Sequence, residues 1–194
     1  MDAYRLTPDL DNPDVEAQQT FRAVVKALDN PGHLIQIESR LSLPEVLNQA
    51  SGALFLTLCN DETTVWADLN WDFSLIEWFQ YQCGCSIVTE PCMANLALIT
   101  KPVTMPPLDH FRIGDEDHPD TSVTLIIQVG KLFANAAKTS GAPLVTGPLV
   151  NSEPKVFPMG VPTNILDHWT QTSSPFSSSI DIFLTCDDVL TALP

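Results

Sequence analysis

The chain has 194 residues, 44% apolar and 17% charged, a balance that suits a globular protein with a core and excludes a disordered tail. Asp and Glu number 24 against 9 Lys and Arg, a formal net charge of −15. Nucleic acid and anionic membranes attract proteins through Lys and Arg, so this charge speaks against both. It also repels a polyphosphate at long range unless another chain supplies the cations.

The opening stretch, MDAYRLTPDL, has neither the basic nor the apolar region of a signal peptide. The longest nearly pure apolar run, Ala53 to Cys59, is far short of the roughly 20 residues that span a membrane. Five cysteines, an odd number without framework spacing, argue against a disulfide scaffold. Together these predict a cytoplasmic protein, organised over residues 1–194 as a single domain.

Asn12-Pro13-Asp14 predicts a helix start, with a capping Asn, Pro at the first helical position and an acid in the first turn. Val15, Phe21, Val24, Val25 and Leu28 are expected to form its apolar face, and Asn30-Pro31-Gly32 to end it. His33 to Glu38 alternates as a short strand does. A second helix is expected to open at Ser42-Leu43-Pro44 and to run through Leu47, Ala50, Leu54 and Leu58.

Asp61 to Thr64 reads as a turn, Val65 to Ala67 as a strand, about Asp72 to Gln82 as a helix, and Asn95 to Thr100 as a strand. Lys101 to Thr121, with four prolines, predicts a long irregular surface loop. Ser122 to Val129 is a continuous apolar run suited to a central strand. Ala142 to Val150 reads as a strand broken at Gly147-Pro148, and Thr163 to Thr170 as a short helix. Ile180 to Cys186 meets Val189 to Leu193 across Asp187-Asp188, a two-residue hairpin turn. The whole predicts an α/β fold, a three-layer helix–sheet–helix domain with a mixed sheet.

Chemistry is sparse. Cys83, Cys85 and Cys92 lie within ten positions, but zinc takes four ligands and the CxC spacing is not the Cys-x-x-Cys of redox or zinc sites; packing is the expected role. His110 and His118 among the acids of residues 109–120 lack the order of a calcium loop, and a solvated acidic loop is expected. There is no nucleophile elbow and no phosphate loop; the tight turn at Thr146-Gly147-Pro148 lacks the Lys of a Walker motif. No catalytic, cofactor-binding or metal-ligating residue is therefore assigned. Three residues remain as pocket candidates: Thr146, Gly147 and Asp181, the last a carboxylate between two isoleucines of the final hairpin.

Four segments carry a resemblance: FRAVVKALDNPG (Phe21 to Gly32), TLIIQV (Thr124 to Val129), TGPLV (Thr146 to Val150) and PFSSSIDIFLTCDDVLTALP (Pro175 to Pro194). In their order and spacing the chain resembles the PhnH family, a subunit of the bacterial carbon–phosphorus lyase complex. The resemblance implies a reduced fold related to pyridoxal-phosphate-dependent transferases that lacks the cofactor-binding lysine, so that no cofactor is expected. It implies a homodimer and association with subunits G, I and J, in machinery that attaches a phosphonate to the ribose of ATP with loss of adenine. On this reading the chain is an accessory subunit in phosphonate catabolism, not catalytic alone. The chain departs from the family pattern at Phe176 to Asp181, where serines replace a Pro and a Gly, and at Leu149. The alternative is a divergent stand-alone small-molecule-binding protein or enzyme, with a pocket near Asp181 and the 101–121 loop.

Overall fold

The computed structural model describes residues 13–38, 41–68, 73–114, 121–134, 156–161 and 180–193. It is a mixed α/β structure. The expected strand within 142–150 and helix over 163–170 lie outside the described residues.

Helix α1, Pro13–Asp29, carries Lys26 in its last turn, where a cation faces the helix dipole favourably. Asn30 closes it by donating its side-chain amide to the Lys26 carbonyl at 2.9 Å, and Gly32 turns the chain at φ +73°. Its buried face keeps Val24 and Leu28 of the expected one but not Phe21 and Val25. Thr20, Val24 and Ala27 are buried with Leu28 beside them, whereas Phe21 and Val25 are 56% and 40% exposed. Both stripes fit a period of 3.6, and the helix turns inward the one with smaller side chains, which allows close approach.

The strand expected over 33–38 shortens to β1, Ile35–Gln36. The ladder stops because the next partner in register is the hairpin turn, to which Ile37 donates its amide (Ile37 N to Asp188 O, 2.7 Å). Helix α2, Gln49–Leu58, begins seven residues later than Ser42. Pro44 to Leu47 forms only a single turn (Leu47 N to Pro44 O, 2.9 Å), and Asn48 is then extended, at φ −79° and ψ 161°. Asn48 caps α2 by accepting from the Ser51 amide at 2.8 Å. Its own amide leaves the helix direction to reach the Gln128 side chain at 2.7 Å, a tertiary bond that outweighs the Ser-Leu-Pro start signal.

The remaining elements follow in order: β2 (Thr64–Ala67), α3 (Phe73–Cys83), β3 (Ser86–Ile87), β4 (Leu96–Ile99), β5 (Thr124–Gln128), β6 (Lys131–Ala134), β7 (Val156–Met159), β8 (Asp181–Cys186) and β9 (Val189–Leu193). Seven strands form one mixed sheet in the order β1-β9-β8-β5-β4-β2-β3, while β6 and β7 pair apart from it. The strands β3, β2, β4, β5 and β8 run parallel; β9 pairs antiparallel with β8, and β1 antiparallel with β9. The expected hairpin forms as β8–β9, with Cys186 facing Val189 and Asp187 at φ +52°.

Side chains alternate between the two faces with the period of a strand. Val65, Leu96, Leu98, Ile126, Phe183, Leu190 and Ala192 face α1, α2 and α3, where Leu54, Phe55, Trp78 and Phe79 complete the packing. Each of these larger side chains contributes roughly 1.5–3 kcal/mol by leaving water. Ala97, Ile99, Leu125, Ile127, Ile182 and Leu184 face the other way. Among the described residues that second face is covered by no α-helix. Met105, Leu108 and Phe111, from the segment around the 3-10 turns at Pro102–Thr104 and Leu108–His110, pack on it together with Leu132. The helix–sheet–helix expectation therefore holds for one helical layer in the described residues.

Candidate functional site

Two directions of winding meet in the sheet. From β2 the chain passes through α3 to β3 on one side, and from β4 it passes through the 101–114 segment to β5 on the other. These connections pack on opposite faces, as right-handed crossovers running in opposite directions require. Ligands of open α/β sheets bind outside the carboxyl ends of the strands, next to such a reversal. At the reversal itself, between β2 and β4, Asp68 is already spent. Its carboxylate accepts from the Thr100 amide at 2.9 Å, the Thr100 hydroxyl at 2.9 Å and the Lys101 amide at 2.7 Å, tying the two strand ends together.

Further along the same edge, beyond the ends of β5 and β8, a groove of about 820 Å³ opens. Gln36, Ile37 and Glu38 form one wall, Leu47, Asn48 and Gln49 the other, and Asp187 and Asp188 of the hairpin turn close it. The polar groups around it are fixed by hydrogen bonds. Gln128, the last residue of β5, accepts from the Asn48 amide at 2.7 Å and donates to the Val46 carbonyl at 2.8 Å. Thr185 of β8 meets the Ser51 hydroxyl at 2.8 Å, and the Asn48 side-chain amide donates to it at 3.3 Å. Gln49 clamps the Leu41 backbone through both ends of its amide, at 2.7 and 2.9 Å. Gln36 donates to the Asp188 carboxylate at 3.1 Å. The Ala50 amide donates to the Asp187 carbonyl at 2.9 Å, which joins the first turn of α2 to the hairpin.

The electrostatics of the groove are one-sided. Glu38, Asp187 and Asp188 bring three carboxylates, and among the described residues no Lys, Arg or His lines it. Such a surface repels phosphate groups and accepts a cation or a hydrogen-bonding neutral group. Among the described residues none that lines it supplies a nucleophile with a neighbouring base, since their titratable groups are the carboxylates. Behind it, burial first and the Asp187 charge second push the Cys186 thiol up, so this sulfur is not activated either.

Of the sequence-derived candidates, Thr146 and Gly147 lie outside the described residues. Asp181 opens β8 and pairs with Thr124, the first residue of β5. It therefore sits at the amino end of the parallel strands, about 20 Å along a six-residue strand from the groove. Burial alone pushes its carboxyl up. The 101–121 loop leaves from the carboxyl end of β4 and returns to the amino end of β5, where Val123 donates to Arg112 at 2.9 Å. The loop's return and Asp181 thus share one end of the sheet, and the groove occupies the other. Asn48, Gln128 and Thr185 carried a signal that sequence reading passed over, since Gln128 and Thr185 are polar residues inside apolar strands.

The cysteines sort differently from their spacing. Cys92 is exposed in the 3-10 turn Pro91–Met93, whereas Cys83 and Cys85 join Cys59 on the helical side of the core. Among the described residues no group of three His, Cys, Asp or Glu side chains is arranged to hold a metal ion. No helix among them is long and apolar enough to cross a membrane.

The chain matches the model of the family described as bacterial phosphonate metabolism protein (PhnH) over residues 8–194. It is 30% identical over 185 residues to the alpha-D-ribose 1-methylphosphonate 5-triphosphate synthase subunit PhnH of Rhizobium meliloti (strain 1021), across 94% of this chain and 90% of that relative.

Proposed function

We propose that this chain, which belongs to the PhnH family, serves as the corresponding subunit of a ribose phosphonate triphosphate synthase assembly in phosphonate catabolism. The observation that carries the reading is the 30% identity across 94% of this chain and 90% of the Rhizobium meliloti relative. Within the assembly the role is accessory. Partner subunits G, I and J take up the phosphonate and ATP, join the phosphonate to the ribose with loss of adenine, and this chain acts as a cytoplasmic homodimer that completes the complex. Residues 1–194 work as one domain, with a fold related to pyridoxal-phosphate-dependent transferases from which the cofactor lysine has gone.

The groove supports this division of labour. Three carboxylates at the carboxyl edge of the sheet, on a chain of net charge −15, make a poor site for a triphosphate, so the cations that hold it belong to other subunits.

The test is co-expression with tagged G, I and J subunits from the same source, followed by size-exclusion chromatography with light scattering and an ATP-binding titration. Stoichiometric co-elution, with ATP bound by the assembly and not by this chain alone, is the expected result. Elution of the chain apart from all three partners, or ATP binding by the isolated chain, would overturn the reading.

A further inference from the structure

We propose that Cys59 and Cys83 form a modification site, a dithiol that closes to a disulfide between the end of α2 and the end of α3. Its geometry begins at one carbonyl. The Cys59 amide donates to the Phe55 oxygen at 2.9 Å, and the Cys83 thiol points to that same oxygen from 4.0 Å. The turn after Cys83 holds the two segments together. Gly84 has φ +68°, and a methyl group there would lie 3.5 Å from Cβ of Asp61, so the 83–85 turn rests directly on the 59–61 segment. One residue further on, Ser86 donates to the Thr63 carbonyl at 3.0 Å.

Three cysteines gather at this corner, for Cys59, Cys83 and Cys85 pack into the same core on the helical side of the sheet. They are not equivalent. Cys85 is 4% exposed and directs its thiol to the Phe79 carbonyl at 3.6 Å, whereas Cys59 and Cys83 are half-buried and open to a small reagent. All five cysteines are free thiols. The neighbouring Cys83 sulfur, with burial adding to it, pushes the Cys59 thiol up to about 12, so this thiol is protonated at neutral pH. Closure is therefore slow and rises with pH, as thiol–disulfide exchange through the thiolate does.

With a small-molecule disulfide as oxidant, the exchange balances in two steps. One protein thiol gives its proton to solvent and attacks a reagent sulfur, forming a mixed disulfide and releasing one reagent thiol. The second protein thiol gives up its proton and attacks the protein sulfur, expelling the other reagent thiol. The protein loses two electrons and two protons, and the reagent disulfide is reduced to two thiols. Closure requires rotation about the side-chain torsions, a motion open to Cys59 because it follows the helix with an extended backbone. A bond here closes the chain between the α2 and α3 ends, and both α2 and α3 pack on the same face of the sheet.

The test treats the folded, full-length chain with oxidised glutathione at mildly alkaline pH, traps free thiols by alkylation, and reads intact mass and linked peptides. Expected are the loss of two hydrogen atoms per chain, a Cys59–Cys83 linkage, and a higher unfolding midpoint that returns to its starting value on reduction. The linkage is expected to persist in Cys92→Ser and Cys85→Ser and to vanish in Cys59→Ser. Stable glutathione adducts without closure, linkage through Cys92 or Cys85, bonds between chains, or closure only in denaturant would each overturn the proposal. The wild-type peptide map decides the matter even where a substituted chain fails to fold.

Discussion

The hydroxyls of Ser51 and Thr185 lie 2.8 Å apart with both side chains fully buried, joining the first turn of α2 to the end of β8. A buried hydroxyl that loses its partner keeps the cost of desolvation without the bond. Thr185→Val and Ser51→Ala are each expected to destabilise by about 1–3 kcal/mol. Because they share one interaction, the double substitution should fall short of the sum of the two by about 0.5 kcal/mol or more. Urea unfolding of the four proteins in a cycle measures this; strict additivity would mean that the two hydroxyls act independently.

Asn48 holds two structural roles at the groove, capping α2 and donating to Thr185. Asn48→Ala is expected to cost about 1 kcal/mol from the cap, with a further loss at Thr185. Asn48→Asp keeps the acceptor for the Ser51 amide while losing the donor, so its stability should fall between the other two. Thermal unfolding of the three chains checks the order.

Asp187 is the first of the two central residues of the β8–β9 turn and holds φ +52°, a region that costs most residues roughly 1–2 kcal/mol. Hairpin turns with a positive φ at that position favour glycine. Asp187→Gly should therefore leave the chain as stable or stabilise it by up to about 1 kcal/mol, while Asp187→Val should destabilise it by about 1–2 kcal/mol. A denaturation series on both variants tests the pair.

Asp181 sets a pH dependence. Burial raises its carboxyl above the ordinary value of 3.8, so in the acid window above that value the folded chain holds a proton that the unfolded chain has released. Stability from this group is greatest below 3.8 and falls as pH rises through the higher folded value. Asp181→Asn removes the dependence, and the stability difference between variant and wild type should shift in favour of the variant as pH rises through that window. Equal pH profiles for the two chains would show that Asp181 is solvated in the folded state.

The elements that sequence reading located best were those whose signal is local. The apolar run ending at Val129 became the central strand β5, and the Asp187-Asp188 pair became the turn of the final hairpin, because burial on both faces and turn chemistry are written into a few neighbouring residues. The shifts came where distant groups competed. Ser42-Leu43-Pro44 has the residues of a helix start, yet the helix waits for Asn48, whose amide is claimed by Gln128, eighty positions away. Phe21 and Val25 fit a helical period as well as Val24 does, and only the close packing of α1 turned the smaller side chains inward. The two-residue strand β3 and the β6–β7 pair have too little pattern of their own to be read without their partners.

What the sequence determined by itself was the class of the protein. Its α/β alternation, its family segments and its excess of carboxylates all lie in composition and local pattern, and the carboxylates pointed away from nucleic acid and from free polyphosphate. The place of the groove and the approach of the Cys83 thiol to the Phe55 carbonyl of α2 were decided only by tertiary structure. Asp181 and Asp187 differ by six positions in one hairpin, but a strand rises about 3.3 Å per residue, so one carboxylate stands at the amino end of the parallel sheet and the other at the carboxyl end, beside the N-terminus of α2.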